Sequence, residues 1–174
     1  MSKSQITLES SLQVFFYDLL QEFNRKSTKP LSNETIFYSS LVMDKYGESS
    51  QFFDNVDGKM KDKILGIKLL ESTNLSKEKM KSNLQDVAET SLLVCGFFSD
   101  SLNRKIVDIK YYQDLGMIAY SRLNSLEPKA YNVKSFYHLI SNRFTEITTL
   151  MNLAAVKSAS DPEVAYLIVS KEIA

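Results

Sequence analysis

Apolar residues recur along this chain at three- and four-residue intervals rather than at every second position, which is the spacing of amphipathic helices. Leu12, Phe15, Phe16, Leu19, Leu20 and Phe23 form one unbroken helical stripe, with Gln13, Asp18, Gln21 and Glu22 outside it. The first helix therefore has a single apolar face. After the polar linker Arg25–Pro30, Ser32 has the chemistry of an N-cap for a second helix through Ile36, Phe37 and Leu41, with Gly47 as its closing residue. Glu48–Val56 reads either as a short helix or as a loop that inserts Phe52 and Phe53 into the core.

A third helix is expected from about Asp57 to Glu71, with Met60, Ile64 and Ile67 on one side and Leu65 and Leu69 on another, hence covered on two sides. Ser76 caps a fourth, with Met80, Leu84, Val87, Ala88, Ser91, Leu92 and Cys95 in register. Its last turns, through Leu93, Val94, Phe97 and Phe98, are apolar all round, which assigns that end to the centre of the molecule. Asp108 caps a fifth helix bearing Ile109, Tyr112, Gly116, Ala119, Tyr120 and Leu123, where the small pair Gly116 and Ala119 lets a neighbouring backbone approach closely. Asn132 caps a long sixth helix carrying Val133, Phe136, Tyr137, Ile140, Phe144, Ile147, Met151 and Ala154. Asp161-Pro162-Glu163 starts a seventh through Val164, Leu167 and Ile168, since an Asp cap, a Pro at the first helical position and an acid in the first turn suit a helix N-terminus. No repeat of fixed period is visible. The expected architecture is all-α, a compact bundle of six or seven helices in a single domain over residues 1–174, with 1–8 flexible.

Composition narrows function by exclusion. The 21 basic and 21 acidic residues give zero formal charge, so no whole-protein field steers nucleic acid or an anionic membrane to the chain. One Cys and one His exclude an internal disulfide and a Cys/His zinc cage. Cys95 lies inside an apolar stripe and reads as core filler; His138, beside the sixth stripe, reads as a boundary residue rather than a haem or metal ligand. A carboxylate-bridged metal site wants Glu-x-x-His, and His138 has Ser135 and Asn142 at those spacings instead. No phosphate-cradling glycine loop, nucleophile elbow or zinc-protease motif occurs. The Lys-rich stretches Lys59–Lys63 and Lys77–Lys81 are each interrupted by an acid, as on a solvated helix face, and neither nucleic acid nor a metal or cofactor is expected. No apolar run approaches the roughly 18 residues of a membrane span, and the N-terminal residues carry no signal-peptide pattern, so no membrane partner and a cytoplasmic setting are expected.

The stretch Gly96–Tyr112 breaks an apolar helix at Phe97-Phe98, passes a polar turn with Asp100, Arg104 and Lys105, and enters the next helix at Tyr111-Tyr112. From Thr90 to Tyr120, the run Ser-Leu-Leu-Val-Cys-Gly-Phe-Phe-Ser-Asp-Ser-Leu, then Asn-Arg-Lys, Val-Asp, Tyr-Tyr, Leu-Gly and Ala-Tyr, resembles a family of uncharacterised small bacterial cytoplasmic all-helical proteins. The resemblance covers about a fifth of the chain firmly and the N-terminal helix more loosely. It implies a bacterial, intracellular protein and supplies no catalytic residue.

Three function classes follow. A noncatalytic protein-interaction or regulatory module, its partner unidentified and a homodimer among the options, needs only shaped surfaces. A helical sensor with a small ligand between its helices is second, and an enzyme without familiar motifs is third. The candidate interaction surface is Asp100, Arg104, Lys105, Tyr111 and Tyr112, because a guanidinium beside aromatic rings has the composition of binding hot spots. The competing account ties Arg104 internally to Asp100 or Asp108. Arg104→Glu separates them: on a binding surface it leaves stability within about 0.5 kcal/mol of wild type while abolishing partner capture, whereas early melting identifies the internal tie.

Overall fold

The computed structural model describes residues 11–45, 53–56, 59–62, 64–99, 108–128 and 135–162. The expected flexible residues 1–8, Phe52 and Gly47 lie outside these, as do the caps and starts expected at Asn132 and Val133 and the seventh helix beyond Pro162. Within them the fold is an all-α bundle: α1 (Leu12–Arg25), α2 (Asn33–Asp44), α3 (Leu65–Glu71), α4 (Lys77–Phe97), α5 (Ile109–Leu126), α6 (Phe136–Asn142) and α7 (Phe144–Ser158).

α1 and α2 form an antiparallel hairpin. Ser11 and Ser32 cap them, each accepting a hydrogen bond from a backbone N–H three residues on, at Val14 and Thr35. The turn between them is pinned by Asn24, a buried amide that accepts from Leu31 N at 2.8 Å and donates to Leu31 O at 2.9 Å. Both polar ends of that side chain are thereby satisfied away from water.

α4 is the central element, packed against α2, α3, α5 and α7. Leu84, Val87, Ala88, Ser91, Leu92 and Cys95 of its stripe are buried and Met80 half-buried; of the last turns expected at the centre, Leu93 is buried while Val94, Phe97 and Phe98 are half-buried, and the Ser76 side chain makes no capping hydrogen bond. Small residues set how closely its neighbours approach. A Cβ on Gly116 of α5 would lie 2.5 Å from the Phe144 ring and 3.0 Å from Ser91 Cβ, and one on Gly96 of α4 would lie 2.9 Å from Met151 Cβ. The space at Gly116 is thus used, but by the side chains of Phe144 and Ser91 rather than by the neighbouring backbone that the small residues lead one to expect.

Two elements differ from the expected pattern. The long sixth helix is two: α6 begins at its cap Ser135, α7 begins at Phe144, and Arg143 between them leaves helical geometry at φ −108 and ψ 16. Arg143 Nη2 donates to Lys29 O at 2.9 Å and Nε to Glu146 Oε1 at 3.0 Å, tying the break to the α1–α2 turn. The apolar stripe runs straight through, with Ile140, Phe144, Ile147, Met151 and Ala154 all buried, so periodicity carries no sign of the break.

The helix expected from Asp57 is instead an antiparallel pair, β1 (Phe53–Val56) and β2 (Lys59–Asp62), with Phe53 opposite Asp62 and Val56 opposite Lys59, followed by the short α3. The two residues between the strands are Asp57 and Gly58, a pairing that favours two-residue hairpin connections. α3 is also covered on one side, not two: Leu65 and Leu69 are buried, while Ile64, Ile67 and Leu70 are exposed.

Ser91 Oγ is buried without a hydrogen-bond partner, beside the Gly116–Phe144 contact. Removing an orphaned hydroxyl relieves its desolvation penalty, so Ser91→Ala is expected to raise unfolding stability by about 1 kcal/mol. Gly116→Ala is expected to lower it by about 1–3 kcal/mol, the overpacking against Phe144 outweighing the helix propensity gained. Denaturant unfolding of both variants checks the pair.

Candidate interaction surfaces

Of the predicted surface, Asp100, Arg104 and Lys105 lie outside the described residues, and Tyr111 and Tyr112 stand on the first turn of α5. Asp108 caps that turn as expected, accepting from Tyr111 N at 3.1 Å. The two rings meet edge to face with centroids 5.4 Å apart. Tyr112 packs against the core, whereas Tyr111 is exposed and lies with its hydroxyl against Gly66 of α3. A Cβ on Gly66 would meet that hydroxyl, a contact the exposed tyrosine relieves by turning its ring tip aside.

The rest of this surface comes from α3. Arg122 Nη1 donates to Leu69 O at 3.0 Å and Asn83 Nδ2 to Lys68 O at 2.6 Å, which satisfies carbonyls in the last turn of α3. Lys68 pairs with Asp86 at 2.8 Å. So held, α3 turns Ile67 and Leu70 outward at 49% and 70% exposure, with its cap residue Ile64 at 60%, and touches Tyr111 through Gly66. Ile118, on the same side of α5 as Tyr111, is exposed as well. The sequence pattern had placed Ile64 and Ile67 on a covered face, and only the packing of Leu65 and Leu69 shows which side of α3 is free.

A second feature is a groove of about 330 Å3 between α1 and the end of α7, lined by Val14, Phe15, Asp18, Leu19, Glu22, Lys157 and Asp161. Its apolar floor is Val14, Phe15 and Leu19. Lys157 crosses it to Glu22 at 2.9 Å and stands 5.6 Å from the centroid of the Phe23 ring. The hydrogen bond from Lys157, helped by Lys26, holds the Glu22 carboxyl below its ordinary range.

The third is internal. Tyr38 of α2 donates to Glu89 Oε1 of α4 at 3.2 Å, its hydroxyl lies 2.9 Å from that of Tyr120 of α5, and Lys45 pairs with the other oxygen of Glu89. Tyr137 stacks on Tyr120 with centroids 6.2 Å apart and accepts from Gln85 Nε2 at 3.0 Å. A cleft of about 20 Å3 lined by Lys45, Asp86, Glu89, Thr90 and Leu93 opens beside the chain, room for a water rather than a substrate. Burial pushes both Tyr38 and Tyr120 well above the ordinary tyrosine range, so neither phenol is a base near neutral pH. The network satisfies polar groups that link three helices.

The remaining candidates carry no reactive geometry. Burial pushes the Cys95 thiol up to about 12, which suppresses the nucleophilic thiolate. His138 Nε2 lies 2.9 Å from Asn142 Nδ2 on the exposed side of α6. Among the described residues no group of three His, Cys, Asp or Glu side chains is placed to hold a metal, and no helix is long and apolar enough to cross a membrane. Compared with family models, curated proteins and solved structures, the chain matches none.

The tyrosine network has a pH consequence. Tyr38 and Tyr120 hold their protons more tightly folded than unfolded, so their contribution to stability is level below the ordinary value of 10.0 and falls as pH rises through it, where the unfolded chain ionises first. Denaturant unfolding followed from neutral pH to pH about 11 is expected to show that loss, and the double variant Tyr38→Phe, Tyr120→Phe a shallower one.

Proposed function

We propose that the protein is a noncatalytic protein-interaction or regulatory module of the bacterial cytoplasm, and that it works through the surface formed by α3 and the start of α5. The supporting observation is the outward face of α3. A helix of seven residues is too short to be stable alone, and this one buries two leucines while it presents Ile67 and Leu70 to solvent, with Ile64 exposed at its N-cap. Apolar surface gathered in this way beside an exposed tyrosine has the composition of a protein contact. The origin and compartment rest on the resemblance over Thr90–Tyr120, and a single buried cysteine suits a reducing compartment.

A small-ligand sensor is the second reading. The α1–α7 groove favours it, since about 330 Å3 falls at the lower end of the size of small-molecule sites.

The first contact to test is between two copies, because closed two-fold dimers are the commonest soluble oligomers and a neutral chain does not repel itself. Light scattering is expected to give twice the 19.8 kDa chain mass, and Ile67→Glu, at an exposed position, to return it to the monomer with its helical circular dichroism kept and its melting temperature no longer dependent on concentration. A wild type monomeric at high concentration excludes the dimer. If Ile67→Glu also leaves every protein captured by the wild type in place, the α3 surface is not the working one.

A further inference from the structure

We propose that the groove between α1 and α7 is a docking site for a cationic amphipathic helix of a partner protein. It shares no residue with the α3–α5 surface, so the two readings stand or fall separately.

Shape is the first argument. Val14, Phe15, Asp18, Leu19 and Glu22 follow one another along a single side of α1 over two turns, and Lys157 and Asp161 at the end of α7 form the opposite wall. Eight residues of helix measure about 12 Å, enough to meet anchors at positions i, i+3 or i+4, and i+7 of a guest helix. A furrow between two packed helices is also where a third seats its ridge of side chains.

Charge is the second. Three carboxylates, Asp18, Glu22 and Asp161, stand against two ammoniums, Lys157 in the groove and Lys26 on Glu22, which leaves an excess of negative charge in a chain whose formal charge is zero. The C-terminal carbonyls of α7 end at the same wall and add the negative pole of that helix. Glu22 is engaged by Lys26 and Lys157, whereas Asp18 is exposed on the wall of α1 beside the apolar floor. A guest with aliphatic residues on one face and Lys or Arg flanking them meets Val14, Phe15 and Leu19 with the first and Asp18 with the second. An acidic helix meets repulsion at the same places.

The test is fluorescence anisotropy of the full chain with a labelled amphipathic Leu/Lys peptide, a matched Leu/Glu peptide and octylammonium as competitor. The Leu/Lys peptide is expected to bind, more weakly at high salt, and the Leu/Glu peptide not to bind. Asp18→Lys is expected to weaken binding about tenfold and Val14→Ser severalfold, while Asp114→Lys, exposed on α5, changes it less than about twofold. Equal affinity for the two peptides overturns the proposal, as do equal effects of Asp18→Lys and Asp114→Lys. Displacement by octylammonium at the peptide's own concentration assigns the groove to a small amphiphilic cation and overturns the helix. Loss of self-association in Asp18→Lys makes the occupant a second copy, with the same consequence. Ile67→Glu leaves peptide binding unchanged, so failure here and failure of the α3 surface are read apart.

Discussion

The approach of α5 and α7 to α4 governs the rest of the molecule. Helices can pack this closely only where a side chain is missing, and Gly116 with the small Ser91 supplies the missing volume at one level of the bundle and Gly96 at another, more than a turn further along α4. Phe144 occupies the space that Gly116 leaves, and Met151 lies over Gly96. Because these contacts fix where α7 starts, they also fix the break at Arg143 and the bond from Arg143 to Lys29, which anchors the α1–α2 pair. The partnerless hydroxyl of Ser91 is a consequence of the same crowding: the position needs a small side chain, and serine meets the size requirement without meeting its own hydrogen-bonding requirement.

The tyrosine network complements that contact. Tyr120 is fully buried, a large side chain in the same helix as Gly116 and one turn further on, and its hydroxyl must find a partner. Tyr38 supplies it from α2 and passes the chain to Glu89 on α4 and to Lys45, which is partly solvated. Apolar packing alone would allow α2 to slide along α4; directional bonds at both ends of this chain specify one register.

How much of this was readable in the sequence follows from the range of each determinant. The stripes of α1, α4 and α5 and the caps at Ser32 and Asp108 are local, and the structure places them as the spacing of residues three and four apart requires. The kink at Arg143 was hidden because Ile140 and Phe144 keep helical spacing across it. The strand pair was hidden because Met60, Ile64 and Ile67 share that spacing by coincidence, while the Asp57-Gly58 signal spans only two residues. Tyr38, Glu89 and Tyr120 come from three helices, and the groove joins Val14–Glu22 to Lys157–Asp161, so no window of sequence contains either feature. Tyr111 was legible as a surface aromatic from its place after a polar turn; its contact with Gly66, and hence with the exposed face of α3, depended on a fold contact some forty-five residues away in sequence.

The division between buried and exposed aliphatic residues on α3 bears on how such a chain can act. Leu65 and Leu69 hold the helix to the core, with Arg122 and Asn83 on its carbonyls, while Ile64, Ile67 and Leu70 stay exposed. Three polar residues there would serve the isolated chain as well and would spare it an apolar surface that invites association. The same contrast holds at the α1–α7 wall, where Val14 is exposed although α1 already buries Leu12, Phe16, Leu19 and Leu20. Aliphatic side chains in excess of what the core uses are intelligible as contact surface, and both sets sit on elements whose backbone the core holds rigid. A surface of that kind binds without first paying to order itself, which is the property an interaction module needs and a catalytic constellation does not supply.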